Sequence, residues 1–292
     1  MLELSGIARS TYYYYLKQKD KDKDKYESEK QDILEIYNAN KGRYGYRRIC
    51  AVLKAKGCKI NHKTVLKLMK SLGLRGKQSK NGKYHSYKGE VGKVADNLLK
   101  RDFHADKPNE KWTTDVTEFK IPEVNKKLYL SAILDLYDRT PVSYVLSARN
   151  DNALVFKTFD LAIAANPDAT PLFHSDRGFQ YTSKVFKMKL QEQGMEQSMS
   201  RVGHCIDNGP TEGFWGIIKT EMYCMYDITD EKTLREAIES YMNFYTNERP
   251  QERFDGKTPA QVRKEAMLTD APKDYPISEN KRIQKYKAKW AA

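Results

Sequence analysis

The chain has 292 residues, 39% of them hydrophobic and 31% charged, which allows two or three compact units with modest cores. Its net charge is +13, and no run approaches the ~18 consecutive apolar residues that a membrane span needs. The opening MLELSGIARSTYYYY lacks the basic start and apolar block of a signal peptide, so a cytoplasmic protein without membrane partners is expected.

The position of the charge carries more than its size. Residues 1–110 hold 26 Lys+Arg against 13 Asp+Glu, whereas residues 111–292 hold 26 of each. Between Lys41 and Gly89 there are 15 basic residues and no acidic one. Such a block is an electrostatic footprint for a polyanion, and nucleic acid is the obvious partner. A membrane surface would require a basic helix with a greasy opposite face, and the apolar positions here have the spacing of a small folded core instead. Cys50, Cys58, Cys205 and Cys224 form no C-x-x-C pair. Cys50, Cys58 and His62 lack a fourth zinc ligand at sensible spacing, so ordinary reduced cysteines are expected.

In chain order, residues 1–30 are a helical fragment with the Tyr12–Tyr15 run, followed by a charged linker over 19–30. Residues 31–75 are predicted helical. Ile33, Ile36 and Tyr37 form one stripe, and Ile49, Val52 and Leu53 a second. Gly57 breaks the pattern, Asn61 is placed to cap a further helix, and Val65, Leu68, Met69 and Leu72 recur along it until Gly73 stops it. Two short helices around a glycine turn make a helix-turn-helix shape, for which Arg43, Tyr44, Arg47, Arg48, Lys63 and Lys67 are the expected DNA contacts. A basic connector fills 76–110.

From Lys111 the composition turns to β-branched and aromatic residues. Strands are predicted at Trp112–Phe119, Lys127–Arg139 (across a turn near Pro122–Asn125), Pro141–Ser147 and Pro171–Asp176, with helices at Asn152–Ala165 and Ser183–Gln193. This order describes a mixed α/β sheet with helical cover. Three acids are unusual by placement. Asp115 is mid-strand, Asp176 ends a strand, and Glu212 lies early in a helix that has Pro210 in its first turn. In-line displacement at phosphorus uses two Mg²⁺ ions roughly 3.5–4 Å apart. Mg²⁺ is a hard cation that takes carboxylate oxygens, and two aspartates on neighbouring strands with one helical glutamate meet that need.

At these residues the chain resembles the OrfB-type transposases of the insertion-sequence-3 family, whose catalytic core is related to retroviral integrases. The matching stretches are KGRYGYRRI (Lys41–Ile49), WTTDVTEF, HSDRGFQY (His174–Tyr181), SMSRVGHCIDNGPTEGFWGIIKTEM (Ser198–Met222) and YMNFYTNERPQERFDGKTPAQV (Tyr241–Val262). Asp176 and Glu212 are separated by 35 residues, the spacing that gives the group its D,D(35)E label. The resemblance implies an RNase H-like DDE core over 111–232, preceded by the all-α helix-turn-helix region and followed by a helical segment and basic tail over 233–292. It implies a DNA transposase with Mg²⁺ or Mn²⁺, two ions, held by Asp115, Asp176 and Glu212. Hydrolysis would free a 3′-OH at an element end, and that hydroxyl would attack a phosphodiester. It also implies Lys219, seven residues after Glu212 and on the same helical face, near the reacting DNA backbone. Terminal inverted repeats and target DNA are the implied partners, with a homo-oligomer assembled on them and the protein near the nucleoid.

Relatives carry a first helix-turn-helix and a leucine zipper from an upstream frame. No heptad run occurs here, so the downstream product is expected, with the upstream-frame product as a candidate partner. His174 is placed either to orient a carboxylate or to pack, Asp207 and Asn208 to cap the Glu212 helix, and Glu221 to act structurally. Trp112, Phe214 and Trp215 read as core, and the segment holding Arg249 and Arg253 packs beside the core with those arginines near DNA. The rival functions are a binding protein that has lost turnover and a simple ribonuclease H. Activity on element-end duplexes compared with RNA–DNA hybrids separates them.

Overall fold

Apolar residues at helical spacing build the N-terminal part of the protein. The computed structural model describes residues 8–19, 26–76, 95–121, 126–277 and 284. Half of the predicted charged linker (residues 20–25), about half of the basic connector (residues 77–94) and the turn at Pro122–Asn125 lie outside them. The helices are α1 (Arg9–Lys19), α2 (Glu27–Ala39), α3 (Tyr46–Ala55) and α4 (His62–Ser71). α2 thus begins inside the stretch read as linker. Ile33, Ile36, Ile49, Leu53, Val65, Leu68 and Met69 are buried together, each Ile or Leu contributing about 1.5–3 kcal/mol by leaving water. Gly57, at φ +90°, lets the chain turn between α3 and α4 in a conformation that a side chain would strain. The Asn61 side chain then accepts the Lys63 N–H at 2.8 Å and caps α4.

The chain divides into two compact units, residues 1–77 and 78–292. The second is built on a five-stranded sheet in the order β3-β2-β1-β4-β5: β1 (Lys111–Lys120), β2 (Lys127–Asp135), β3 (Pro141–Ser147), β4 (Leu172–Ser175) and β5 (Gln197–Met199). β1 to β3 form an antiparallel meander, while β4 runs parallel to β1 and β5 parallel to β4. The helices are α5 (Asn152–Ala165), α6 (Lys184–Glu192), α7 (Gly209–Tyr223), α8 (Glu231–Asn247) and α9 (Pro259–Ala266). Trp112, Phe159, Phe173, Tyr181 and Phe186 centre the main core, with edge-to-face or tilted ring pairs 5.5–5.6 Å apart.

β2 ends at Asp135 and not at Arg139. Asp135 and Asp138 accept the N–H groups of Tyr137 and Thr140, which folds DLYDRT into a turn. A second cluster joins Leu99 and Ala105 to Leu136, Tyr137, Phe254, Val262, Ala266 and Tyr275. Arg263 of α9 also bonds Asp135 at 2.6 Å and Asp138 at 2.7 Å. The boundaries drawn at 110 and 232 therefore do not mark breaks in packing, because residues on both sides of each share one core. No helix among the described residues is long and apolar enough to cross a membrane.

Candidate active site

Three elements deliver the three acids. Asp115 stands mid-β1 opposite Ala132 of β2. One of its oxygens accepts the Val116 N–H at 2.8 Å, and the other accepts the indole N–H of Trp215 at 3.1 Å. β4 pairs with β1 so that Thr113 faces His174. Asp176 leaves the strand two residues after His174, as Asp115 lies two after Thr113. Asp176 Oδ1 accepts the Gly178 N–H at 2.8 Å, closing a tight turn. A Cβ on residue 178 would lie 2.9 Å from Gln180 Oε1 and 3.1 Å from Asp176 Oδ1, so a larger residue there would press on the Asp176 carboxylate and shift the Gln180 side chain.

Glu212 occupies the first turn of α7, and this helix is fastened to β1 at three points. Asn208 Nδ2 donates to the Thr114 carbonyl at 3.1 Å, Thr211 donates to the Thr113 hydroxyl at 2.8 Å, and Trp215 reaches Asp115. Placing Thr211 on Thr113 sets the next residue, Glu212, beside the same stretch of strand.

The electrostatics single these acids out. Burial pushes the Asp115 carboxyl up to about 8, and the charges of Asp176 and Glu212 add to the effect. Burial likewise raises Asp176, and burial with the Asp176 charge raises Glu212. Asp115, Asp176 and Glu212 are half-buried, and the carboxylates buried more deeply, together with half-buried Glu221, have an arginine. Asp135 and Asp138 have Arg263, Asp207 has Arg101 at 2.6 Å and Arg201 at 2.8 Å, and Glu221 has Arg249 at 2.9 Å. Even Asp135, pushed up to about 7 by burial and by Asp138, keeps that contact. Among the described residues, no ion pair involves Asp115, Asp176 or Glu212. Crowded carboxylates in a poorly hydrated place need protons or a cation. A set made only of hard oxygen donors suits Mg²⁺ or Mn²⁺, so the donors fit the expected metal. They are electrostatic neighbours and not a closed ligand shell: no three His, Cys, Asp or Glu side chains among the described residues converge tightly enough to enclose an ion.

Residues 105–205 and 193–259 match the integrase core domain family, and residues 23–82 match an HTH-like domain. The chain is 31% identical over 211 residues to the transposase InsF of insertion sequence IS3A from Escherichia coli K12, covering 72% of this chain and 73% of that one. It is 42% identical over 269 residues to the putative transposase InsK of insertion sequence element IS150 from the same organism, covering 92% of this chain and 94% of that protein. The chain belongs to the insertion-sequence-3 family of transposases. The fold agrees with a chain in the cryo-EM structure of the simian T-cell lymphotropic virus intasome in complex with PP2A regulatory subunit B56 gamma. That match has a TM-score of 0.50 and 17% identity over 85% of this chain and 80% of that chain, a likeness of architecture.

In this transposase the remaining sequence-predicted residues divide. Lys219 is half-buried with Nζ 5.5 Å from the centre of the Phe119 ring, and burial lowers its pKa. It opens onto a surface recess of ≈ 330 Å³ that Glu118, Lys120 and Tyr223 also line. Arg47, Lys63 and Lys67 are exposed on the helical unit. Arg43 is half-buried and donates to the Asn40 carbonyl, and Arg48 lies over the Tyr44 ring. Tyr44 is itself buried, only 3% exposed, so it is a core residue and not a DNA contact.

Asn208 occupies the N-cap position of α7, as read from the sequence, but neither its side chain nor that of Asp207 makes a capping bond. Asp207 is held by Asn97, Arg101 and Arg201, and Asn208 is spent on the Thr114 carbonyl. His174 is buried between Ser198 and Ser200, and burial lowers its pKa to about 4, so it packs as a neutral ring. Glu221 binds Tyr241 and Arg249, as a structural residue should, which removes buried Arg249 from any DNA surface. Arg253 donates to the Tyr275 carbonyl. Trp112, Phe214 and Trp215 are buried as expected, but sequence reasoning missed the second job of Trp215. The available signal was a tryptophan three residues after Glu212, whose buried N–H needs an acceptor.

Proposed function

We propose that this chain cuts and joins the ends of its insertion sequence, with Asp115, Asp176 and Glu212 as the metal-holding residues. The observation that carries the reading is the missing arginine. Asp135, Asp138, Asp207 and Glu221 each have one, whereas Asp115, Asp176 and Glu212 make no ion pair among the described residues. Bound there, a pair of Mg²⁺ or Mn²⁺ ions would supply the positive charge that polarises the phosphodiester and offsets charge building on its oxygens. The chain's own residues do the placing: β1 and Trp215 hold Asp115, the Gly178 turn holds Asp176, and α7 presents Glu212.

In the first reaction water attacks phosphorus and the bond to the 3′ oxygen breaks, freeing a 3′-OH. In the second that hydroxyl attacks another phosphodiester, and the displaced 3′ oxygen leaves. The basic helical unit holds duplex DNA through Arg47, Lys63 and Lys67, and joining two ends calls for more than one copy on the DNA. The test is Mg²⁺-dependent cleavage and joining of element-end duplexes, abolished by chelator and restored by Mg²⁺ or Mn²⁺. Equal turnover of RNA–DNA hybrids would favour a ribonuclease instead.

Lys219 lies about 10 Å along α7 from Glu212, roughly two helical turns, and its ammonium has no ion pair among the described residues. It suits a phosphate next to the reacting one. Lys219→Ala should lower joining at limiting DNA, with a modest loss of stability of about 0.5–1 kcal/mol from its contact with the Phe119 ring. Lys219→Met, which keeps much of the side-chain packing, should lower joining as well. Unaltered joining across DNA concentrations would leave the lysine without this role.

A further inference from the structure

We propose that Trp215 is a positioning residue of the metal site, with its indole N–H fixing the orientation of the Asp115 carboxylate. The inference rests on the reading of Asp115 as a metal ligand. Trp215 is 5% exposed and shares the buried face of α7 with Thr211, Ile218 and Met222. Packing alone would be served by phenylalanine, as it is at the neighbouring Phe214, whose ring centre lies 5.1 Å away. Tryptophan adds one polar atom, and that atom points at Asp115 Oδ2 from 3.1 Å.

A carboxylate oxygen has about two acceptor positions. On Asp115 the Val116 N–H takes one on Oδ1 and the Trp215 N–H takes one on Oδ2. Both ends of the carboxylate are thereby pinned, which stops it rotating, and one position on each oxygen stays available to a cation. The bond also ties two proposed ligands together. Trp215 lies three residues after Glu212 on the same helix, so one contact sets the Glu212 helix in register with the Asp115 strand. Groups that orient a metal ligand in this way typically change metal affinity 10–100-fold when removed.

The experiment measures Mn²⁺ binding to the full-length chain, by the loss of the free-ion paramagnetic resonance signal, for the parent, Trp215→Phe and Asp115→Asn. Asp115→Asn should remove the tight binding. Trp215→Phe should weaken it by about 10–100-fold with a metal-free melting temperature close to the parent's. Parent-like affinity in Trp215→Phe, with Asp115→Asn still defective, would overturn the positioning role and leave the metal site standing. Parent-like affinity in both would overturn the metal assignment itself. If Trp215→Phe does not fold, the parent decides by its indole N–H resonances. Mg²⁺ should shift the Trp215 signal well beyond that of Trp112, which donates to Asn109 Oδ1 at 3.2 Å. Equal or absent shifts would refute the proposal.

Discussion

A Glu212→Gln chain should join no element ends at any Mg²⁺ concentration, yet hold DNA as the parent does. The amide is almost the shape of the carboxylate and lacks its charge, so the loss falls on metal retention and on the reaction. Removing one element of a preorganised electrostatic site costs about 10²–10³-fold, and loss of a proposed metal ligand should cost at least that. Stability should not fall. Glu212 has no cationic partner among the described residues and is repelled by Asp176, so deleting its charge relieves a strain in the metal-free protein. Cleavage and joining by the glutamine chain at the parent rate would remove Glu212 from the chemistry.

The second large effect follows from the charge division. The cut suggested by sequence, at residue 110, would tear Leu99, Arg101 and Ala105 out of the catalytic unit, where they are buried. Dividing at residue 94 respects the packing and sharpens the charge contrast. Residues 1–94 hold 23 Lys+Arg against 9 Asp+Glu, and residues 95–292 hold 29 against 30. The first fragment should bind duplex DNA unaided and the second poorly. Each neutralised phosphate contributes about −0.9 to the slope of log K against log salt, so about five contacts give a slope of roughly −4 to −5. Binding would then weaken on the order of 10²–10³-fold between about 50 and 200 mM salt. Arg47, Lys63 and Lys67 are the exposed side chains to charge-neutralise first. Equal binding by the two fragments, or a flat salt response for 1–94, would make the basic block merely a solvated surface.

Local signals in the sequence were reliable where the structure is local. Pro141–Ser147 and Asn152–Ala165 occupy the predicted strand and helix, and Asn61 caps its helix, because each is decided by a periodicity or a single hydrogen bond nearby. The three acids could be singled out because a carboxylate mid-strand and another at a strand end are poor choices for stability alone. What was not legible depends on distant partners. β5 has three residues, too few for an alternation to show, and is recruited by β4. Asp207 resembles a helix cap until Arg101, more than a hundred positions earlier, claims its oxygen. Tyr44 sits in a basic stretch, yet its ring is needed inside the small helical core. The Trp215–Asp115 bond likewise joins residues 100 positions apart, and no spacing rule announces it.

The most direct test of the central claim is anomalous diffraction from crystals of the full-length chain grown with Mn²⁺. Anomalous density is expected among the carboxylates of Asp115, Asp176 and Glu212, reduced or lost in Glu212→Gln crystals. Manganese bound elsewhere, with those three side chains free of metal, would contradict the assignment.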